Sequence, residues 1–315
     1  MSILNNPNCT EQKGNVGIPS CAIGITYPIG FIITEDSFKL TVANMADWAT
    51  TLGALSDACL APVGNRIYPI FNIIGLTDNT PAPEAKTSGY GVITKHVEKP
   101  HSFELDTRDL GGKYFAELRK FKNRKDLRVY WIDASGFIGG EENSDGELLG
   151  FKCTFQPKQI KVGNVADITK YMVQLDITDP TALTDKLSAI QYEDTVNLEN
   201  ELNGILNVNI SDVAAGTLTL RVSLITEISK TNLYDEYSSI IVANPAAFIA
   251  TKADGTANVI TGITANPLTK SFTIALTAAG LTTLKLEPAA ALATLGIGGN
   301  GTSGFESDEV TRTVL

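Results

Sequence analysis

Chemistry in this chain would have to start from two histidines, four cysteines and a scatter of carboxylates. His96 and His101 lie in TKHVEKPHSF, and Pro100 between them breaks any helix that would bring both onto one face. They read as solvated loop histidines and not as a metal pair. A Ser-His-Asp or Cys-His set would need one of them, and no GxSxG elbow stands ready to hold a serine. Cys9, Cys21, Cys59 and Cys153 form no CxxC pair and have no histidine close by in sequence, so the zinc and redox patterns are missing. They read as reduced thiols, two of them buried.

Asp133, Glu141, Glu142, Asp145 and Glu147 form the densest acidic cluster. Against the EF-hand template, Phe137 and Ile138 stand where an oxygen ligand and the glycine belong. A calcium site of another geometry stays open, although Asp145-Gly146 is already explained as a tight hairpin turn. The paired carboxylates of a hydrolase are defined by their separation in space, which sequence does not give. The run Gly296-Ile297-Gly298-Gly299-Asn300-Gly301 lacks the Lys-Ser/Thr and the strand-to-helix context of a phosphate loop, and reads as a flexible turn. Trp48 and Trp131 sit inside apolar periodic segments and read as core rather than sugar platforms. The expected site list is therefore empty: no catalytic residue, no cofactor and no metal.

The 315 residues are 43% hydrophobic and 19% charged, with 25 basic against 35 acidic side chains and a net charge of −10. Such a chain can bury a substantial core. It lacks the cationic excess of a sequence-independent nucleic-acid binder. Its most basic stretch, RKFKNRKDLR from Arg119 to Arg128, reads as a solvated helix end, with subunit contact as the second option. The start MSILNNPNCTEQ has no signal-peptide pattern, and no apolar run is long enough for a membrane span.

Residues 1–25, rich in Asn, Pro and Gly, read as an extended arm. Phe38, Leu40 and Val42 alternate as a strand. Met45, Trp48, Leu52, Leu55 and Cys59 recur at helical spacing, with Asn44 as N-cap and Pro62-Val63-Gly64 as the stop. Ile67 to Leu76 is β, residues 77–91 are a long Pro-containing loop, and Leu110, Tyr114, Leu118 and Phe121 mark a second helix over 108–123. Strands follow at Leu127–Asp133, at Phe151, Cys153 and Phe155, and at Tyr171, Val173, Leu175 and Ile177, with a short helix within Pro180–Tyr192. The acidic stretch 193–203 suggests a boundary, so the domains are expected at 1–198 and 199–315. Beyond it, alternating runs around Val208, Leu220 and Ile274, with turn signals between them, suggest a β-sandwich of Ig-like size. Pro288 to Gly296 suggests one or two helical turns, and VTRTVL a closing strand. The expected fold class is mainly β (α+β): an N-terminal β-barrel or sandwich with one or two packed helices, then a C-terminal Ig-like β-sandwich.

From 116 to 180 the chain passes from a helix with Leu118-Arg119-Lys120-Phe121 to a strand ending at Asp133. A Gly-rich turn with Asp145-Gly146 follows, then Leu149-Gly150-Phe151-Lys152 and the strand Tyr171 to Thr178. This order resembles virion structural proteins of tailed phages, in particular tail-tube-like proteins from phages of Bacteroidota hosts. The part ending in Asn300-Gly301-Thr302-Ser303-Gly304-Phe305-Glu306-Ser307 resembles the Ig-like domains appended to such proteins. The resemblance covers residues 110–315 and implies a non-enzymatic subunit. It would form a homo-oligomeric ring or tube with other virion proteins, through which genomic DNA passes without specific binding. It implies a virion location after assembly in the bacterial host cytoplasm, no membrane insertion, and weak contact with host-surface glycans. The arm 1–25 and the loop 77–91 are the expected inter-subunit contacts of the assembly domain. Two alternatives stand beside it. One is a head-decoration, connector or other surface virion protein whose Ig-like domain binds glycans or capsid. The other is a carboxylate-based hydrolase.

Overall fold

The computed structural model describes residues 26–87, 93–108, 111–164, 167–192, 197–299 and 302–315. The arm expected at 1–25 lies outside them. The protein is mainly β, with 48% strand and 16% helix. Two compact units emerge: Met1–Ala58 with Val63–Glu199, and Cys59–Pro62 with Asn200–Leu315.

From its N-terminal side the chain runs β1 (Pro28–Glu35), α1 (Trp48–Cys59), β2 (Tyr68–Phe71), β3 (Ile73–Asp78), β4 (Glu84–Thr87), β5 (Ile93–Val97), β6 (His101–Thr107) and α2 (Gly112–Leu118). It continues through β7 (Leu127–Asp133), β8 (Phe137–Glu142), β9 (Leu148–Leu149), β10 (Phe151–Lys161), β11 (Lys170–Ile177), β12 (Leu187–Gln191) and α3 (Leu198–Glu201).

In the first unit, β7 pairs with β1, β1 with β2, β3 with β6, β6 with β11, β11 with β10, and β10 with β7 again. Only Asn72 separates β2 from β3, and its φ of 63° bends the strand there. Asn tolerates the left-handed region better than most residues. With β2 and β3 counted as one bent strand, the sheet closes on itself as a barrel. Phe31, Ile70, Phe103, Leu105, Val129, Trp131, Phe155, Val173 and Leu175 point into it, and Phe115, Leu118 and Phe121 of α2 and the following 3-10 turn pack among them. The barrel interior is thus a packed core with no lumen of its own. The far half of β7 pairs with β8, which carries β9 and β12.

Several local expectations need correction. Phe38–Val42 is not a strand: Leu40 makes a single bridge to Leu148, and Val42 is exposed because the backbone turns at Thr41–Asn44. The first strand is β1, whose two faces are both buried, so it shows no alternation. The N-cap of α1 is Asp47 rather than Asn44: its Oδ1 accepts the Thr50 N–H at 2.8 Å, which lowers its carboxyl pKa. Thr51, not Leu52, is the buried residue of that turn, its hydroxyl donating to Asn44 O at 2.9 Å. The loop at 77–91 contains β4, which pairs with β5 as a separate hairpin; residues 88–91 lie outside the described set. The helix expected within Pro180–Tyr192 is a turn followed by β12, whose Ser188, Ala189 and Ile190 are buried beside β8.

The second unit continues with β13 (Ile205–Gly216), β14 (Thr219–Thr226), α4 (Tyr234–Ala243), β15 (Phe248–Lys252), β16 (Ile260–Asn266), β17 (Ser271–Leu276), β18 (Gly280–Leu286), α5 (Ala289–Thr294), β19 (Gly304–Ser307) and β20 (Val310–Val314). Five strands form one sheet in the order β16-β17-β14-β13-β19, and three form another, β15-β18-β20. Leu220, Val222, Leu224, Phe272, Ile274, Leu284 and Leu286 from both sheets share one core with Leu233, just before α4, and Tyr237 and Ile241 on it. β13 and β19 run parallel, which a simple meander does not give. The described part of the glycine run after α5, Gly296 to Gly299, is a turn that also stops the helix, and residues 300 and 301 lie outside the described set. Gly296 N–H donates to Ala293 O and Ile297 N–H to Leu292 O, both at 3.0 Å, with Leu292 and Ile297 buried together.

Leu218, in the β13–β14 turn, holds φ at 51° with its side chain 39% exposed. A left-handed residue there is ordinarily Asn or Gly. Leu218→Asn is expected to raise stability by about 1 kcal/mol by relieving that strain, read as a higher midpoint in urea.

Candidate functional site

The structure disperses the residues with chemical potential. Asp133 is buried, its Oδ1 accepting the N–H groups of Ser135 and Phe137 at 2.9 Å each and its Oδ2 the Thr26 hydroxyl at 3.0 Å. It caps the β7–β8 turn. Glu141 faces Arg128 at 3.3 Å. Glu147 binds Lys39 at 2.8 Å, and this cation, with the Asn143 amide, holds its carboxyl below the usual range. Asn143 Oδ1 accepts the N–H groups of Asp145 and Glu147 at 2.9 Å, which builds the turn that Asp145-Gly146 announced. Glu142 and Asp145 are exposed. Among the described residues, no three His, Cys, Asp or Glu side chains converge to hold a metal.

His101 opens β6 instead of sitting in a loop. Its ring stacks on Phe103, and Nε2 lies 3.1 Å from Pro180 O. His96 falls on β5. Trp131 is packed edge-on to Phe103, and Trp48 is buried against Tyr192. Half of the cations in the basic stretch are met by carboxylates in place: Arg124 meets Glu35 and Asp126, Arg128 meets Asp36 and Glu141, and Lys120 meets Glu117. Ion-pair partners of this kind, scattered along the sequence, are why the stretch looks more basic in sequence than in space.

Cys59 and Cys153 are free and buried, and desolvation pushes both thiols up to about 12. Peptide mapping after iodoacetamide treatment of the native protein at pH 8 is expected to find both unmodified, and full modification after unfolding in urea. Native labelling of either would show that its burial is transient.

A cavity of about 370 Å³ in the first unit is bordered by Ile29, Phe71, Ile73, Arg108, Tyr192 and Glu199. Glu199, the one carboxylate among the described residues that border it, accepts a hydrogen bond from Asn72 Nδ2 at 2.7 Å.

Two surfaces stand out instead. The first is the β10–β11 hairpin, whose pairing continues to Lys161↔Lys170 past a bulge at Pro157/Gln159. Residues Lys158 to Lys161 are all exposed, and the tip shows Ile160, Val162 and Ile168 at 39%, 80% and 49% exposure. The second lies at one end of the second unit. Leu218 N–H donates to Leu315 O, Leu276 N–H to Leu218 O, and Thr277 N–H to Val259 O, tying four segments together. That end exposes Leu218, Val259, Leu281 and Leu315, and the segments 213–219, 257–262, 276–283 and 313–315 contain no charged residue. Sequence reasoning missed both surfaces. The signal for the first was QIKVGNVADI, where aliphatic residues flank a Gly-Asn turn.

Comparison with protein-family models and with curated proteins returned no match.

Proposed function

We propose that this chain is a non-enzymatic, self-assembling structural subunit of a tailed-phage virion, tail-tube-like, which stacks as rings around a conduit for DNA. The observation that carries the reading is the β10–β11 hairpin. A barrel whose own core is complete still presents three exposed aliphatic side chains on one projecting element. Exposed aliphatic groups gathered on one hairpin are candidates for an interaction surface. The outward face of β3–β6–β11–β10 adds support as the wall facing DNA. It is knit by polar contacts, with Ser102 and Gln174 donating to Asp176 at 2.6 and 2.8 Å and Lys158 paired with Glu104 at 2.7 Å. Its lysines are offset by carboxylates, so it offers no cationic track for phosphates. The second unit takes the part of the appended Ig-like sandwich.

Negative-stain electron microscopy of the full chain, over a range of concentration and salt, tests this. Rings or tubes with a central hole are expected. A protein that stays monomeric at high concentration and with virion partners overturns the tube reading and favours a decoration or connector subunit.

A further inference from the structure

We propose that the folded chain modifies itself at Asn203. The backbone nitrogen of Gly204 attacks the Asn203 side-chain carbonyl carbon, ammonia leaves, and water opens the resulting succinimide to aspartate or isoaspartate.

Asn-Gly occurs twice in the sequence, at 203–204 and 300–301, and the second pair lies outside the described residues. The first pair meets what ring closure requires. Attack needs a following residue with no side chain in the way, and glycine has none. The space is open as well, since a Cβ built on Gly204 would find no heavy atom within 4 Å. Attack also needs a backbone nitrogen that is free, whereas most backbone N–H groups are held in ladders or turns. Asn203 and Gly204 lie between α3 and β13, in neither helix nor strand. The Gly204 N–H meets no acceptor among the described residues; its carbonyl is the anchored group, accepting from Gly304 N–H at 3.1 Å. The site must be wet too, because the nitrogen gives its proton to solvent and water opens the ring. Gly204 is exposed and Asn203 half-buried. Neighbouring carboxamides lack this combination. Asn207 is exposed, but the next residue, Val208, is β-branched, buried and paired with Thr226 in the sheet. Asn197 and Asn200 precede Leu198 and Glu201 of α3.

The atoms balance with water alone. Gly204 N loses its hydrogen and bonds to Asn203 Cγ, the Cγ–Nδ2 bond breaks, and that nitrogen departs as ammonia. Hydrolysis at one ring carbonyl restores the ordinary main chain with an aspartate at 203. Hydrolysis at the other leaves the main chain running through Cγ, one carbon longer. Both products change the local structure. Asn203 Nδ2 donates to Asn200 O at 2.6 Å, which serves a carbonyl at the end of α3, and a carboxylate has no donor to replace it. The longer main chain would enter β13 directly before its parallel register with β19, Ile205↔Gly304 and Leu206↔Phe305, and Phe305 belongs to the core. Either product adds a negative charge to a chain already at −10.

The test follows the purified full chain at 37 °C, at pH 6 and pH 8.5, by peptide mapping over several weeks. Asn203 is expected to gain one mass unit at least tenfold faster than Asn207, and faster at pH 8.5 than at pH 6, because the attacking nitrogen must lose its proton. Electron-transfer fragmentation should resolve both aspartate and isoaspartate at 203. Gly204→Ala is the mechanistic control. Its methyl group enters open space, so the variant should keep the circular dichroism spectrum and slow the change at Asn203 at least tenfold. A rate at Asn203 that Gly204→Ala leaves unchanged overturns the ring closure. Conversion no faster than at Asn207 overturns the assignment of the site. So does a rate in the folded chain more than a hundredfold below that of the same chain in guanidinium chloride, since the fold would then protect Asn203 rather than expose it.

Discussion

Replacing Arg128 by Met is expected to destabilise the first unit by about 3–5 kcal/mol, read from the urea midpoint of its unfolding transition. Arg128 leaves β7 toward the outside of the barrel with its side chain only 15% exposed. Its Nη1 donates to Gly150 O at 2.8 Å and faces Glu141 at 3.3 Å, while Nε meets Asp36. The partner is the vulnerable group. The Glu141 side chain is 13% exposed, and its Oε1 is buried without a hydrogen-bond partner among the described residues. Remove the guanidinium and a carboxylate remains, mostly out of water and unpaired. That penalty, more than any lost attraction, sets the size of the effect. The same reasoning fixes the control. Arg128→Met/Glu141→Met removes both charges and leaves apolar side chains of similar volume, so it should recover most of the loss, to within about 1–2 kcal/mol of the native chain. If the double variant is as weak as the single, the Arg128 contacts to Gly150 and Asp36 carry the stability, and Glu141 does not.

Whether an element could be read from sequence depended on how many of its faces are buried. The strands β10 and β11 alternate cleanly, because Phe151, Cys153, Phe155, Val173 and Leu175 enter the barrel core while Thr154, Gln156 and Gln174 face out. β1 has the opposite character. Phe31 and Ile33 enter the core while Ile32 and Thr34 are buried on the other face, so period 2 disappears. α4 was hidden differently. Its stripe Leu233, Tyr237 and Ile241 is helical, but Ser238-Ser239-Ile240-Ile241-Val242 has the composition of a strand, and tertiary packing decides. Closure of the barrel hangs on one left-handed Asn72, whose conformation no neighbouring residue announces. The site list was read from motifs that are missing, whereas the places of the clustered acids come from the fold: Asp133 builds a turn, Glu141 faces Arg128 on the neighbouring strand, and Glu147 faces Lys39 from a distant segment. Arg128 is brought in by the local β7–β8 hairpin, and Lys39 by the pairing of Leu40 with Leu148, which is a long-range fact.

In the second unit, Asn258→Leu is expected to cost about 3–4 kcal/mol, more than any surface substitution there. Asn258 is only 2% exposed. Its Nδ2 donates to Ala278 O at 2.9 Å and Thr282 Oγ1 at 3.0 Å, and its Oδ1 accepts from Ala278 N–H at 3.1 Å and Thr277 Oγ1 at 3.3 Å. One side chain thus satisfies both backbone groups of Ala278 and pins the β17–β18 turn to the segment that joins β15 to β16. Leucine is close in volume, so the packing loss is small and the cost falls on the polar groups left behind. Thr282, 1% exposed, keeps a weak alternative in Gly280 O at 3.4 Å, but the Ala278 amide has no other partner in the turn. Asn258→Asp separates the two halves of the network. Its carboxylate can still accept from Ala278 N–H and Thr277 but meets the Ala278 carbonyl with no donor, so near neutral pH it should lose about as much as Leu. Below the carboxyl pKa, protonation restores a donor, so the deficit of Asn258→Asp should narrow at pH 3–4 while that of Asn258→Leu stays unchanged. Urea midpoints for the three chains at pH 7 and pH 3.5 make the comparison. A deficit of Asn258→Asp that stays the same at both pH values would show that the donor to the Ala278 carbonyl does not set the loss, and an Asn258→Leu chain as stable as the native one would make all four hydrogen bonds incidental to the stability of that end of the sandwich.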